Sequence, residues 1–238
     1  IEGGLNPQHM MPGTGSTSIE STYRMTAHAL SYQCAGVLML PPFYYKDITD
    51  DGLFAYFSEV IQKIGNPALQ IYIYNIPPVT KINLSLSLLE RLIKEYPKTV
   101  VGMKDSSGDW EYTESVIKLL APHGFRVYAG SEVFLMRTLR AGGVGCISAT
   151  ANVNPKAIAE LAAHWRESDA DKRQADLDQV RGIFAKYQMI AGMKTAVAHY
   201  SKDPEWLRVR PPLMQLSADQ QAQLLNELKA INFSMPGL

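Results

Sequence analysis

Net charge is missing from this chain: 23 Lys and Arg residues balance 23 Asp and Glu residues over 238 positions. Without a basic excess it lacks the electrostatic footprint of a nucleic-acid binder or of a protein that works on an anionic membrane. Cysteine is almost absent. Cys34 and Cys146 are the two present, each beside apolar residues, and they are expected to be buried free thiols in a cytoplasmic protein, not a disulfide. The five histidines are scattered without metal-ligand spacing, so no zinc site is expected. No run approaches the roughly 18 apolar residues of a membrane helix. No basic segment leads into an apolar one at the start, so no secretory leader is read. Gly142-Gly143 has no nucleotide-binding fingerprint around it and reads as a tight turn.

What is present is an alternation. Short apolar runs at residues 37–40, 69–75, 100–104, 125–129 and 144–148 are separated by stretches of helical periodicity at residues 20–35, 51–64, 87–95, 113–120 and 133–141. Near-continuous apolar strands alternating with amphipathic helices predict a parallel sheet covered by helices. Residues 10–16 read as a strand end entering a Gly-rich turn, which makes six strands. After residue 148 the rhythm gives way to three long helical stretches, 155–166, 172–200 and 217–231. The expected division is a barrel portion over residues 1–153, and over 154–238 the last barrel helix with a helical C-terminal extension.

Two residues carry chemistry. Lys104 ends the run Thr99-Val100-Val101-Gly102-Met103. A lysine at the end of a buried strand is costly, and an apolar setting favours the neutral amine that attacks a carbonyl to form a Schiff base. Thirty positions earlier Tyr74 ends the run 69–75 and precedes Asn75-Ile76-Pro77-Pro78. A strand-end lysine and a strand-end tyrosine one β/α unit apart suggest imine chemistry with a phenolic proton shuttle.

Seven stretches in order, from about residue 12 to residue 212, resemble the pyruvate-dependent class I aldolases that include dihydrodipicolinate synthase and N-acetylneuraminate lyase. They are Gly13-Thr14-Gly15-Ser16, Pro42-Phe43-Tyr44-Tyr45-Lys46, Tyr74-Asn75-Ile76-Pro77, the run from Gly102 through Lys104-Asp105-Ser106-Ser107-Gly108 to Asp109, Ala129-Gly130-Ser131-Glu132, the run from Gly142 to Ser148, and Arg210-Pro211-Pro212. The resemblance implies a (β/α)8 TIM barrel with a helical extension, and a homotetramer built as a dimer of dimers. It implies a small keto acid as substrate, and no cofactor beyond the covalent lysine imine. Lys104 matches the imine lysine and Tyr74 the proton-moving tyrosine. Tyr44 matches an aromatic that completes the relay, in many members from the adjacent subunit. Gly130 and Ile147 match pocket-wall positions. Ser131, Glu132 and Ser148 match positions that touch substrate hydroxyls in members handling polyhydroxy acids, although Glu132 could equally cap the helix after it.

The chain departs from the family pattern twice. The family's Gly-Thr-Thr-Gly-Glu turn, which holds the pyruvate carboxylate, has no counterpart here, and six strands fall two short of a closed barrel. The expectation is a barrel from its third unit onward, as a shortened form of a longer protein, with a degenerate barrel serving as a binding or assembly subunit the alternative. The synthases also carry an arginine five positions after the tyrosine, for the aldehyde's carboxylate. Here that position is Val79, which argues against a substrate with a second carboxylate. The expected reaction is cleavage, or the reverse condensation, of a 2-keto-3-deoxy acid to pyruvate and an aldehyde. A keto-deoxy sugar acid dehydratase-decarboxylase and a synthase-like condensing enzyme are the alternatives.

Overall fold

The computed structural model describes residues 1–236. Among them no helix is long and apolar enough to cross a membrane. The chain divides into two compact units. One comprises Ile1–Gly130 with Arg140–Gly145; the other comprises Ser131–Leu139 with the chain from Cys146 onward.

The first unit is built on a sheet of strands β1 (Val37–Met39), β2 (Ile71–Asn75), β3 (Val100–Asp105) and β4 (Arg126–Ala129), with the two-residue β5 beginning at Gly145. The order is β1-β2-β3-β4-β5, and β1 through β4 pair parallel in sequence order. Helix α1 (Ile19–Ser31) precedes β1, and helices α2 (Asp50–Ile64), α3 (Pro77–Thr80), α4 (Leu86–Glu95) and α5 (Trp110–Leu120) fall in the connections, as parallel pairing requires. Side-chain oxygens of Ser18, Thr49, Ser85 and Asp109 accept the first free N–H groups of α1, α2, α4 and α5, fixing where each helix starts. Val37, Met39, Ile71, Ile73, Met103 and Val127 face one core with Leu53, Phe57, Leu88, Leu92 and Val116 from the helices.

Strand positions alternate between faces. If Ile71, Ile73, Met103 and Val127 point to the helices, then Tyr72, Tyr74, Gly102, Lys104, Arg126 and Tyr128 point the other way. Gly102 is needed on that face: a Cβ there would stand 2.4 Å from the Arg126 carbonyl oxygen and 2.6 Å from the Tyr72 ring.

The second unit is helical. Helix α6 (Leu135–Ala141) begins in it, and α7 (Pro155–His164), α8 (Ala170–Ala185), α9 (Met189–Ser201) and α10 (Ala218–Ala230) follow. Leu135, Met136, Ile158, Leu161 and Leu177 form one small core; Val180, Phe184, Ala196, Leu224 and Leu228 form another.

Several expectations need correcting. The segment at residues 10–16 is not a sixth strand; it makes a single parallel bridge, Gly13 to Leu38. The helical stretch 172–200 is two helices. They part at residues 186–188, where the Gln188 side chain accepts the Ala191 N–H at 2.7 Å and starts α9. Cys34 and Cys146 are free but half-buried. The segment after Tyr74 contains the one-turn helix α3.

Candidate active site

Lys104 and Tyr74 are register partners across β3 and β2. Partners in parallel strands point to the same face, and the Lys104 Nζ lies 4.2 Å from the centroid of the Tyr74 ring. That is cation–π distance. Both are half-buried at the C-terminal ends of their strands, where barrel enzymes gather their catalytic groups.

Directly behind them, on the helix side, stand the next residues of the same two strands. Asn75 and Asp105 are also register partners, 2% and 3% exposed. Asn75 donates from Nδ2 to the Asp105 carboxylate at 2.8 Å. The carboxylate also accepts the Ser107 N–H at 3.1 Å, the Ser107 hydroxyl at 2.9 Å and the Thr113 hydroxyl. One buried anion thereby fixes β2, the loop after Lys104 and the start of α5. Its charge, together with burial, pushes the Tyr112 phenol above its usual range, burial contributing more; that phenol donates to the Leu84 carbonyl at 2.7 Å. Ser107 and Asp109 are turn residues: Asp109 donates its N–H to Ser107 Oγ at 3.1 Å and caps α5.

The ladder continues past the strand ends. Ser106 donates its N–H to the Asn75 carbonyl at 2.7 Å, and Gly130 donates to the Asp105 carbonyl at 2.6 Å. A Cβ on Gly130 would sit 1.9 Å from Ser106 Oγ, so a side chain at 130 is excluded while that bond is kept. Gly130 is thus close beside the loop that follows Lys104.

Tyr44 is not joined to this cluster within the chain. It stands 72% exposed after β1, its ring edge-on to Tyr45 with centroids 5.2 Å apart. The loop holding it is tied down by Lys46, whose ammonium donates to the carbonyls of Phe43 and Thr80. Val79 lies 71% exposed on α3, so no guanidinium occupies that position.

The other sequence-derived candidates lie in the second unit. Ser131 Oγ accepts the Val133 N–H at 3.4 Å. Glu132 is 1% exposed. Its carboxylate accepts the hydroxyls of Ser148 and Thr150 and stands 3.6 Å from the Arg181 guanidinium. Ser148 Oγ also accepts from Arg181 at 3.3 Å. A carboxylate taken up this way holds its own unit together, and its role is more than a helix cap. Ile147 is half-buried. Beside the cluster, burial first and the Glu132 charge second push the Cys146 thiol up to about 12.

The family model of the dihydrodipicolinate synthetase family matches residues 9–231. The chain belongs to that family. It is a family of pyruvate-dependent class I aldolases and lyases. The 4-hydroxy-tetrahydrodipicolinate synthase of Acidiphilium cryptum is 36% identical over 222 residues, which cover 90% of this chain and 72% of that protein. An uncharacterized DapA-like lyase of Chloroflexus aurantiacus is 30% identical over 216 residues, 90% of this chain and 71% of that one. The crystal structure of dihydrodipicolinate synthase from Agrobacterium tumefaciens matches with a TM-score of 0.87 and 34% identity, covering 97% of this chain and 78% of the synthase. YagE from E. coli K12, crystallised in complex with pyruvate, matches with a TM-score of 0.82 and 26% identity, covering 93% and 74%. The parallel α/β architecture here is therefore that of the family's TIM barrels.

Sequence reasoning missed Asp105 and Asn75 as a pair. It also missed Tyr128, which pairs with Lys104 on the side away from Tyr74. A signal for Tyr128 was there: in Arg126-Val127-Tyr128-Ala129 the polar-tipped residues occupy every second position.

Proposed function

We propose that the protein is a Schiff-base-forming lyase or aldolase that cleaves a 2-keto-3-deoxy acid to pyruvate and an aldehyde, or condenses the two. The observation that carries this is the Lys104–Tyr74 pair: an amine held 4.2 Å from the centre of a phenol ring, on one face at adjoining strand ends, with a buried clamp behind it.

The chemistry runs through the lysine. The neutral amine adds to the C2 carbonyl of the keto acid, and the carbinolamine loses water to give an iminium. The C4 hydroxyl then gives up its proton as the C3–C4 bond breaks. The aldehyde leaves, and the bonding pair moves into the iminium to form an enamine. Protonation at C3 followed by hydrolysis releases pyruvate and frees the lysine. Tyr74 is the phenol placed to donate and accept protons, a role worth about 10²–10⁴ in rate. Gly130 leaves room for Ser106, in the loop that follows Lys104.

Tyr44, exposed and in contact with neither Lys104 nor Tyr74, suits the part of a residue offered to a neighbouring copy in a dimer of dimers. The five strands are read as an arc of a (β/α)8 barrel, supported by the match to the Agrobacterium synthase. Two observations bear on the aldehyde. The named synthase relatives favour a condensing enzyme, but Val79 offers no cation to a second carboxylate. The preferred aldehyde is accordingly uncharged, as in sugar-acid lyases. Mass spectrometry after pyruvate and sodium borohydride tests the core of this reading: a reduced adduct on the peptide carrying Lys104 is expected, and its absence from folded protein would overturn it.

A further inference from the structure

The loop after β1 is tied down by a single polar side chain. No backbone-to-backbone hydrogen bond holds residues 42–47 among the described residues. Phe43 and Ile48 pack against the core near its two ends, and Tyr44 and Tyr45 between them stand exposed. Lys46 supplies the rest of the hold. Its ammonium donates to the Phe43 carbonyl within the loop and to the Thr80 carbonyl, 34 positions on, at 2.9 Å. Asp47, the next residue, has a φ of 56°, in the left-handed region that few residues other than glycine adopt.

Thr80 is a firm anchor. It is 2% exposed and closes α3. Its hydroxyl donates to the Ile76 carbonyl at 3.1 Å and accepts the Ile82 N–H at 3.3 Å. Ile76 is two residues beyond Tyr74 in the chain. Lys46 therefore fastens the residue before Tyr44 to the segment that leaves the Tyr74 strand. A long side chain loses rotamer freedom when it is held in one geometry, and what these two bonds secure is a place: the loop that carries Tyr44 cannot swing away from the end of β2 while they are made.

We propose that Lys46 is a positioning residue for Tyr44: by joining the two loops it presents the Tyr44 phenol to a neighbouring copy in the orientation that the proton path of imine formation needs. This rests on the reading above, in which Lys104 forms the imine and Tyr44 serves a neighbouring copy. Lys46 touches neither the substrate nor the reacting atoms, and its whole effect passes through the phenol two residues before it.

Lys46→Met keeps most of the stem and removes the donor. Imine formation is followed by quenching pyruvate incubations with borohydride at intervals and quantifying the adduct on the peptide carrying Lys104. A catalytic group misplaced by about 1 Å can cost about 10²-fold. Lys46→Met should accordingly lower the maximal rate about 10- to 100-fold, while the pyruvate needed for half-maximal trapping stays within about twofold. Tyr44→Phe should slow the same step by about 10²-fold. The double variant should lie within about twofold of Tyr44→Phe alone, because both changes act through one phenol. Lys46→Met at the wild-type rate overturns the assignment. So does a double variant slowed by the product of the two single effects, which would give Lys46 a route that bypasses Tyr44. A slowing accompanied by a changed elution volume in size exclusion overturns it in favour of a role in assembly. Tyr44→Phe at the wild-type rate overturns it and leaves the Lys104 imine standing. No adduct on the wild type overturns the imine reading and this inference with it.

Discussion

Replacing Asp105 with Asn should destabilise the protein far more than the change of one atom suggests. The Asp105 carboxylate is 3% exposed and takes hydrogen bonds from Asn75, the Ser107 N–H, the Ser107 hydroxyl and the Thr113 hydroxyl. Each is a donor, so every contact needs an acceptor. An amide offers one oxygen, and its NH₂ must face at least one donor. Bonds to a charged acceptor contribute about 1.5–3 kcal/mol and neutral ones about 0.5–1.5. Leaving a buried donor unpaired costs about 1–3 kcal/mol. Removing a buried charge regains part of its desolvation cost. The net expectation is a loss of about 2–4 kcal/mol, a large share of the 5–15 kcal/mol that typically holds a domain together.

Urea unfolding followed by far-UV circular dichroism would measure it. With a slope of about 2–3 kcal/mol per molar, the midpoint should fall by roughly 1 M at unchanged slope. Thr113→Val, which deletes one donor without adding another, should cost only about 1–2 kcal/mol. If Asp105→Asn moved the midpoint no further than Thr113→Val, the account of Asp105 as a four-donor hub would be wrong.

Lys104→Ala should abolish the borohydride-trapped adduct with the circular dichroism spectrum unchanged; an adduct at wild-type yield would assign the chemistry to another amine. Tyr74→Phe should keep a trappable imine while slowing its formation by about 10²–10⁴, and a wild-type rate would remove Tyr74 from the proton path. Gly130→Ala places a Cβ 1.9 Å from Ser106 Oγ and 2.8 Å from its Cα. The forced backbone shift should cost about 2 kcal/mol and lower Tm by roughly 4–8 °C, with no change in Tm contradicting the close approach. The Cys146 thiol, pushed up to about 12, should stay protonated at pH 8, where an unfolded thiol near 8.5 is partly thiolate. Iodoacetamide should therefore label it on the order of 10³-fold faster once the chain is unfolded. Because the folded value is the higher one, the linked stability is complete below about 8.5 and is lost as pH rises from there toward 12, and a native labelling rate equal to the unfolded one would refute the shift.

The strands were legible because each is an apolar run bounded by turn residues, and Lys104 and Tyr74 because polar groups at the ends of such runs are conspicuous. The pairing of the strands was not. That Tyr74 faces Lys104 and Asn75 faces Asp105 depends on the register shift at Ile71 and Tyr72, which no single strand announces. Asp105 looked like the first residue of a polar loop, since Ser106, Ser107 and Gly108 follow it. Only the fold brings Thr113 and Asn75 to it and removes it from water. Glu132 is a similar case: Ser148 and Thr150, its hydroxyl partners, lie 16 and 18 positions away. The break between α8 and α9 carries no Gly or Pro; Lys186-Tyr187-Gln188 would continue a helix on propensity alone, and the Gln188 cap decides against it.

A consequence of strand geometry ties these observations together. With a side-chain period of two, residues adjacent in sequence point to opposite faces. Tyr74 is backed by Asn75 and Lys104 by Asp105, so each group on the reactive face has its neighbour in the clamp. A slip of one residue in either strand would turn Lys104 or Tyr74 into the helix-side core and bring Asp105 or Asn75 out. Apolar residues alone resist that slip weakly here, because Tyr72 and Tyr74 are nearly as hydrophobic in body as Ile71 and Ile73. The Asn75–Asp105 bond resists it strongly: a slip would strand a buried carboxylate without its donors. The polar pair on the helix side is therefore best understood as what specifies the register, and the register is what sets the lysine between its two tyrosines.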